Sequence, residues 1–66
     1  MSVAKTIEIS AESANGFDAA IKSGIEKAGT TVDNIQSAWI KDQVVLTDKG
    51  KIRAYRVHMM VTFELK

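Results

Sequence analysis

Few residues in this sequence are equipped for chemistry, and they are scattered. Trp39 is the only tryptophan. An indole stacks on a planar, base-like ring with a gain of roughly 1–3 kcal/mol, and tryptophan is also enriched at subunit contacts. Arg56 carries a planar fork that grips a phosphate or carboxylate through two parallel bonds. Its structural alternative is an ion pair with Glu64, Asp42 or Glu8 of a neighbouring subunit, or a cation–π stack on Trp39. His58, the only histidine, invites a metal or acid–base role against that of an interface hydrogen-bonder. Cysteine is absent, so a lone histidine has no partners for a zinc site. Asp33, Asp42 and Asp48 lack the spacing of a calcium loop, and only symmetry would gather their copies into an oxygen cage. Lys5, Lys49, Lys51 and Arg53 would bind an anion if collected at an axis, and otherwise form a solvated hairpin tip. There is no nucleophile–base pair, no metal-ligand set and no glycine-rich phosphate loop, which argues against an enzyme.

These side chains must be positioned by a small set of elements. Residues 3–10 read as a strand, with Val3, Lys5, Ile7 and Ile9 on one face and Thr6 and Glu8 on the other. The period then changes. Residues 14–29 read as a helix with Phe17, Ala20, Ile21, Gly24, Ile25 and Ala28 on one stripe. Ser13 is the expected N-cap, with Ser10 a weaker candidate. Gly24 lies inside the stripe, which points to close packing rather than a merely weakened helix. Gly29, Thr30 and Thr31 are expected to end the helix.

Residues 34–47 read as a second strand. Strict alternation puts Ile35, Ser37, Trp39, Lys41, Gln43 and Val45 on one face, and Gln36, Ala38, Ile40, Asp42, Val44 and Leu46 on the other. Thr47-Asp48-Lys49-Gly50 is a turn, with Gly50 available for positive φ. Residues 51–65 form a third strand in which Tyr55, Val57, Met59, Val61, Phe63 and Leu65 alternate without a break. The expected fold is α+β: one β-α-β-β domain over residues 1–66, its three-stranded antiparallel sheet in order 1-3-2 wrapped on one helix. The sheet's other face, bearing Arg56, His58, Met60 and Trp39 or its neighbours, suits subunit contacts better than water, and the long edge strands need partners.

Size and charge narrow the function classes. A domain of 66 residues is marginal alone. With no cysteine for disulfides or zinc, self-association is the remaining route to stability. A net charge of +1 gives no long-range field for nucleic acid or an anionic membrane. No apolar run is long enough to span a bilayer, and the opening MSVAKTIEIS lacks the layout of a signal peptide. The expectation is a cytoplasmic protein without nucleic-acid or membrane partners.

The order of a strand, the helix start S-A-E-S-A-N-G-F-D-A-A-I, T-V-D-N-I, D-Q, a hairpin and A-Y-R-V-H-M-M-V-T-F-E-L resembles the dodecin family over nearly the whole chain. The resemblance implies a hollow homododecamer built of trimers and dimers. It further implies stacked flavins (FMN, FAD or riboflavin) stored and quenched at subunit interfaces rather than turned over. Anchoring on T-V-D-N-I and D-Q places the family's flavin-stacking tryptophan position at Ser37, with Trp39 two residues later on the same face. The glutamine that follows the strand-three tyrosine in flavin-binding members is Arg56 here, while the ligand-contacting aspartate is retained as Asp42, beside Gln43. The cofactor-binding set implied is therefore Trp39, Arg56, Asp42, Ser37 and Gln43. The alternative is a dodecin-like assembly that binds no flavin and instead binds calcium, anions or coenzyme A, with Trp39 and Arg56 at interfaces.

Overall fold

The computed structural model describes residues 3–65, so the outermost ends of the domain placed at 1–66 lie outside the described residues. Four elements follow in order: β1 (Val3–Ser13), α1 (Phe17–Ala28), β2 (Ile35–Asp48) and β3 (Lys51–Leu65). The sheet order is β1-β3-β2, and both pairings are antiparallel. The α+β, β-α-β-β architecture is the one expected from the hydrophobic periods.

Alternation along β3 explains why the helix sits where it does. Val57, Met59 and Val61 are fully buried beneath α1, and Ala20 of the helix closes over them. Ile7 and Ile9 from β1, Ile21 and Ile25 from α1, and Ile35, Ala38 and Ile40 from β2 complete this layer. Gly24 is the closest point of approach: a Cβ there would lie 2.7 Å from Met59 Cε and 2.9 Å from Ala11 Cβ. The glycine in the stripe thus permits close packing, as its position suggests.

The helix start differs from expectation. β1 continues three residues beyond Ser10, and Ser13 is its last residue rather than a helix cap. The Ser13 hydroxyl accepts the Asn15 N–H at 3.0 Å, which tightens a turn instead. The N-cap is Gly16, with φ of 132° and no side-chain cap bond. That positive φ is open to glycine and breaks the chain direction, so Ala14 and Asn15 belong to the connection. At the other end Gly29 remains right-handed, and the threonines finish the helix. Thr30 Oγ1 donates to the Lys27 carbonyl at 2.6 Å and Thr31 Oγ1 to that of Ala28 at 3.1 Å.

The hairpin turn is a two-residue loop, Lys49-Gly50, between the paired Asp48 and Lys51. Both loop residues have positive φ, 52° and 79°, the geometry whose twist matches the flanking strands. Beyond the helix the β2–β3 ribbon projects as an arm, and the molecule measures 51 × 19 × 14 Å. Its radius of gyration is 13.5 Å, against about 11 Å for a compact domain of this length. Val44, Val45 and Ile52 on the arm are exposed, as are Val3 and Leu65 at the opposite end.

Met59→Ala removes the largest fully buried side chain and is expected to cost about 2–5 kcal/mol. Gly24→Val is expected to cost at least about 1–3 kcal/mol, because the added atoms meet Ala11 as well as the mobile end of Met59. Denaturant unfolding checks both, and wild-type midpoints in the two variants would contradict the packing described.

Candidate functional site

The helix-free face of the sheet is the candidate site, and strand register determines what it carries. Directly paired residues share a face. Three cross-strand rows therefore define the centre. Glu8, Met60 and Trp39 form the first; Ser10, His58 and Asp42 the second; Glu12, Arg56 and Val44 the third. Thr6, Thr62 and Ser37 flank the first row on one side, and the Thr6 and Thr62 hydroxyls are 3.0 Å apart. Rows are spaced by two residues, about 6.6–6.8 Å.

Strict alternation does not hold along β2. Pairing passes from Ile35↔Phe63 to Ser37↔Thr62, and from Ile40↔Met59 to Asp42↔His58, leaving Gln36 and Lys41 as extra residues in β-bulges. Each bulge resets the face. Ile35 therefore joins Ala38 and Ile40 over the core, while Asp42, Val44 and Leu46 move to the face that carries Ser37 and Trp39. Gln43 pairs with Val57 and shares the helix side of the sheet. Of the five residues singled out from the sequence, the structure brings Ser37, Trp39, Asp42 and Arg56 to one face and puts Gln43 on the other.

The face is polar except at its centre. Trp39 is 67% exposed and belongs to the same row as half-buried Met60. Lys41 Nζ donates to Glu8 Oε2 at 2.9 Å, spanning from β2 across β3 to β1. Arg56 donates from Nε and Nη2 to Glu12 Oε1 at 3.1 and 2.8 Å. Its partner within the chain is thus Glu12. A first strand ending at Ser10 leaves Glu12 outside the site; β1 runs on to Ser13, and the continuing alternation of Ala11 inward and Glu12 outward is the sequence signal for it. His58 Nε2 lies 3.8 Å from Asp42 Oδ1, an ion pair only when the imidazole is protonated. An aromatic ring pair, Phe17 edge-on to Tyr55 at 5.1 Å, lies on the other side of the sheet.

No group of three or more metal-ligating residues occurs among the described residues. No helix among them is long and apolar enough to cross a membrane. The basic residues Lys49, Lys51 and Arg53 gather at the hairpin tip with Asp48 and Ile52, far along the arm from Trp39.

The fold and this face define a class of small subunits, each a three-stranded sheet with one side under a helix and the other bare. The chain belongs to the dodecin family, whose sequence model matches residues 3–66. A dodecin of Streptomyces davaonensis is 28% identical, with a TM-score of 0.94 over 98% of this chain and 96% of that one. A dodecin of Thermus thermophilus, solved as an arginine-to-alanine variant, is similar in fold at 24% identity, with a TM-score of 0.94 over 100% and 98% of the two chains. A calcium-chelating antigen of Mycobacterium tuberculosis, described as a calcium dodecin with a calcium-binding site, is 31% identical with a TM-score of 0.84, covering 97% of this chain and 91% of its own. The chain matches no curated protein.

The Lys41–Glu8 pair has a testable pH signature. The hydrogen bond from Lys41, together with its charge, holds the Glu8 carboxyl below its ordinary 4.5. The same pair holds the Lys41 ammonium above its ordinary 10.5. The carboxyl's contribution to folding is present above pH 4.5 and fades as pH falls through the lowered value; the ammonium's is present below pH 10.5 and fades as pH rises through the raised one. Carboxyl-carbon NMR is expected to show Glu8 titrating upward toward its ordinary range in Lys41→Met. An unmoved Glu8 titration in that variant would break the assignment.

Proposed function

We propose that the chain is one subunit of a homododecameric hollow shell that stores flavins in the seams between subunits. The observation that carries this reading is Trp39: one large aromatic ring, 67% exposed, at the centre of the face that the chain's own helix does not cover. A ring left in water at such a place gains by stacking, on a neighbouring subunit's ligand or on the ligand of a shared site. Family membership supports the shell, and the marginal size of the subunit supports assembly. Ser37 lies one register position along the same face, so a flavin stacked on Trp39 would be displaced by about 6–7 Å from the usual family position. Asp42, in the adjoining row, offers a carboxylate to ring N–H donors.

Under this reading the assembled protein quenches riboflavin fluorescence and elutes as a large species in size-exclusion chromatography. Trp39→Ala loses roughly 1–3 kcal/mol of flavin affinity, about 5- to 150-fold, while the large species persists. Unchanged quenching would remove Trp39 from the site, and dissociation into smaller species would assign it to the contact instead. Wild-type protein that elutes as a stable monomer would refute the shell itself.

Calcium is the second reading, favoured by the calcium-binding relative at 31% identity. No subunit gathers three ligands by itself among the described residues, so such a site would draw carboxylates such as Asp33, Asp42 or Asp48 from several copies. Isothermal titration with calcium after chelator treatment tests it. Calcium uptake with fewer than one ion per subunit, and no flavin quenching, would replace the first reading with this one.

A further inference from the structure

Arg56 is the obvious group to hold the phosphate of a phosphorylated ligand, yet its guanidinium is already engaged. Both its Nε and its Nη2 donate to the same oxygen of Glu12, directly opposite across the β1–β3 pairing. Lys41, the other cation near Trp39, is likewise held on Glu8. Asp42 has a charged partner only when His58 is protonated. Around Trp39 the central rows thus set three carboxylates, Glu8, Glu12 and Asp42, against two permanent cations, both occupied. Arg56 lies two rows from Trp39, on the order of 13 Å along the strands. A ring stacked on the indole with its polyol tail directed along the strands toward the third row would bring a terminal phosphate to the Glu12–Arg56 pair.

We infer that Glu12 is a specificity-determining residue: by occupying Arg56 it makes the face select an uncharged planar aromatic ligand over its phosphorylated counterpart. The inference rests on the flavin reading above and adds the chemical class of flavin. A phosphate reaches only the Arg56 N–H groups that Glu12 leaves free and must sit beside that carboxylate, with no uncompensated permanent cation in the central rows. An uncharged polyol end is under neither constraint. The pair is partly exposed, with side-chain accessibilities of 39% and 40%, so its effect is modest. An exposed ion pair is worth no more than about 1 kcal/mol, so a few-fold discrimination is the scale expected, rising to roughly tenfold when like-charge repulsion by Glu12 is added.

The test compares riboflavin and FMN, two probes differing by one phosphate, by fluorescence quenching of the assembled protein at pH 8 and low salt. Wild type is expected to bind riboflavin roughly three- to tenfold more tightly than FMN. Glu12→Gln frees Arg56 and is expected to remove or reverse that preference by improving FMN binding with riboflavin affinity little changed. Glu12→Asp, which keeps the charge but withdraws it from Arg56, gives a second reading if the glutamine variant fails to assemble, and is expected to shift the ratio in the same direction by less. Equal or tighter FMN binding in wild type overturns the inference while leaving flavin storage intact. An unaltered ratio in both variants overturns it too. Failure of wild type to quench either flavin overturns the storage reading, and this inference with it.

Discussion

A three-stranded sheet has two faces, and this chain supplies a cover for one. On β3, Val57, Met59 and Val61 turn toward α1 and are fully buried, while the alternating Arg56, His58 and Met60 turn the other way and are only half-buried. The period of two that makes the core also makes the bare side, residue for residue, so the two cannot be separated by mutation of the pattern. Gly24 lets the helix lie close against Met59 and Ala11, which seals the covered side with very few large side chains. The rest of the molecule follows from that economy. The hairpin arm runs on past the helix, its valines and Ile52 stand exposed, and the chain's own helix leaves the sheet's other side uncovered.

Polar residues organise the bare side without filling it. Lys41 reaches across β3 to Glu8, and Arg56 closes on Glu12, so β1 is tied by charge to β3, its backbone-paired neighbour, and to β2, with which it shares no backbone pairing. Exposed pairs of this kind contribute little to stability. Their consequence is orientation: they hold the two long cations flat against the sheet and leave the Trp39 ring standing clear at its centre. A surface with pinned charges and one free aromatic plane favours flat contacts, whether with a ligand or with another subunit. The carboxylates outnumber the permanent cations near that ring, which biases any such contact against anions.

The β-bulges are the device that assembles this surface. Lys41 is an extra residue between the pairs Ile40↔Met59 and Asp42↔His58. Were Lys41 paired in regular alternation instead, Asp42 would turn with Ile40 toward the core and Gln43 would take its place beside Trp39. One unpaired residue therefore exchanges which of two neighbouring polar side chains faces the candidate site. The bulge at Gln36 does the corresponding work at the start of the strand, bringing Ile35 over the core with Ala38. Bulges near functional faces commonly re-aim side chains in this way.

Much was legible in the sequence because it depends on local periods. The unbroken alternation from Tyr55 to Leu65, the three- and four-residue stripe from Phe17 to Ala28, and the Gly50 turn determine the elements, the sheet order and the covered face. The absence of cysteine and the small size pointed the same way, toward a subunit with no covalent or zinc staple of its own. Local pattern also misled in two places. Ser13 resembled a helix cap, but β1 was still paired with β3 at that point, and sheet hydrogen bonds outcompeted a capping bond; the glycine two residues after Ala14 marked the true break. Alternation along β2 looked continuous, but an extra residue in one strand is invisible until its partner's register is known. The sequence by itself therefore determined which elements form and which side of β3 is buried. Only the tertiary structure decided that Asp42 joins Trp39, that Gln43 does not, and that Arg56 is held by Glu12, because a pairing register is a relation between two distant segments and no single segment encodes it.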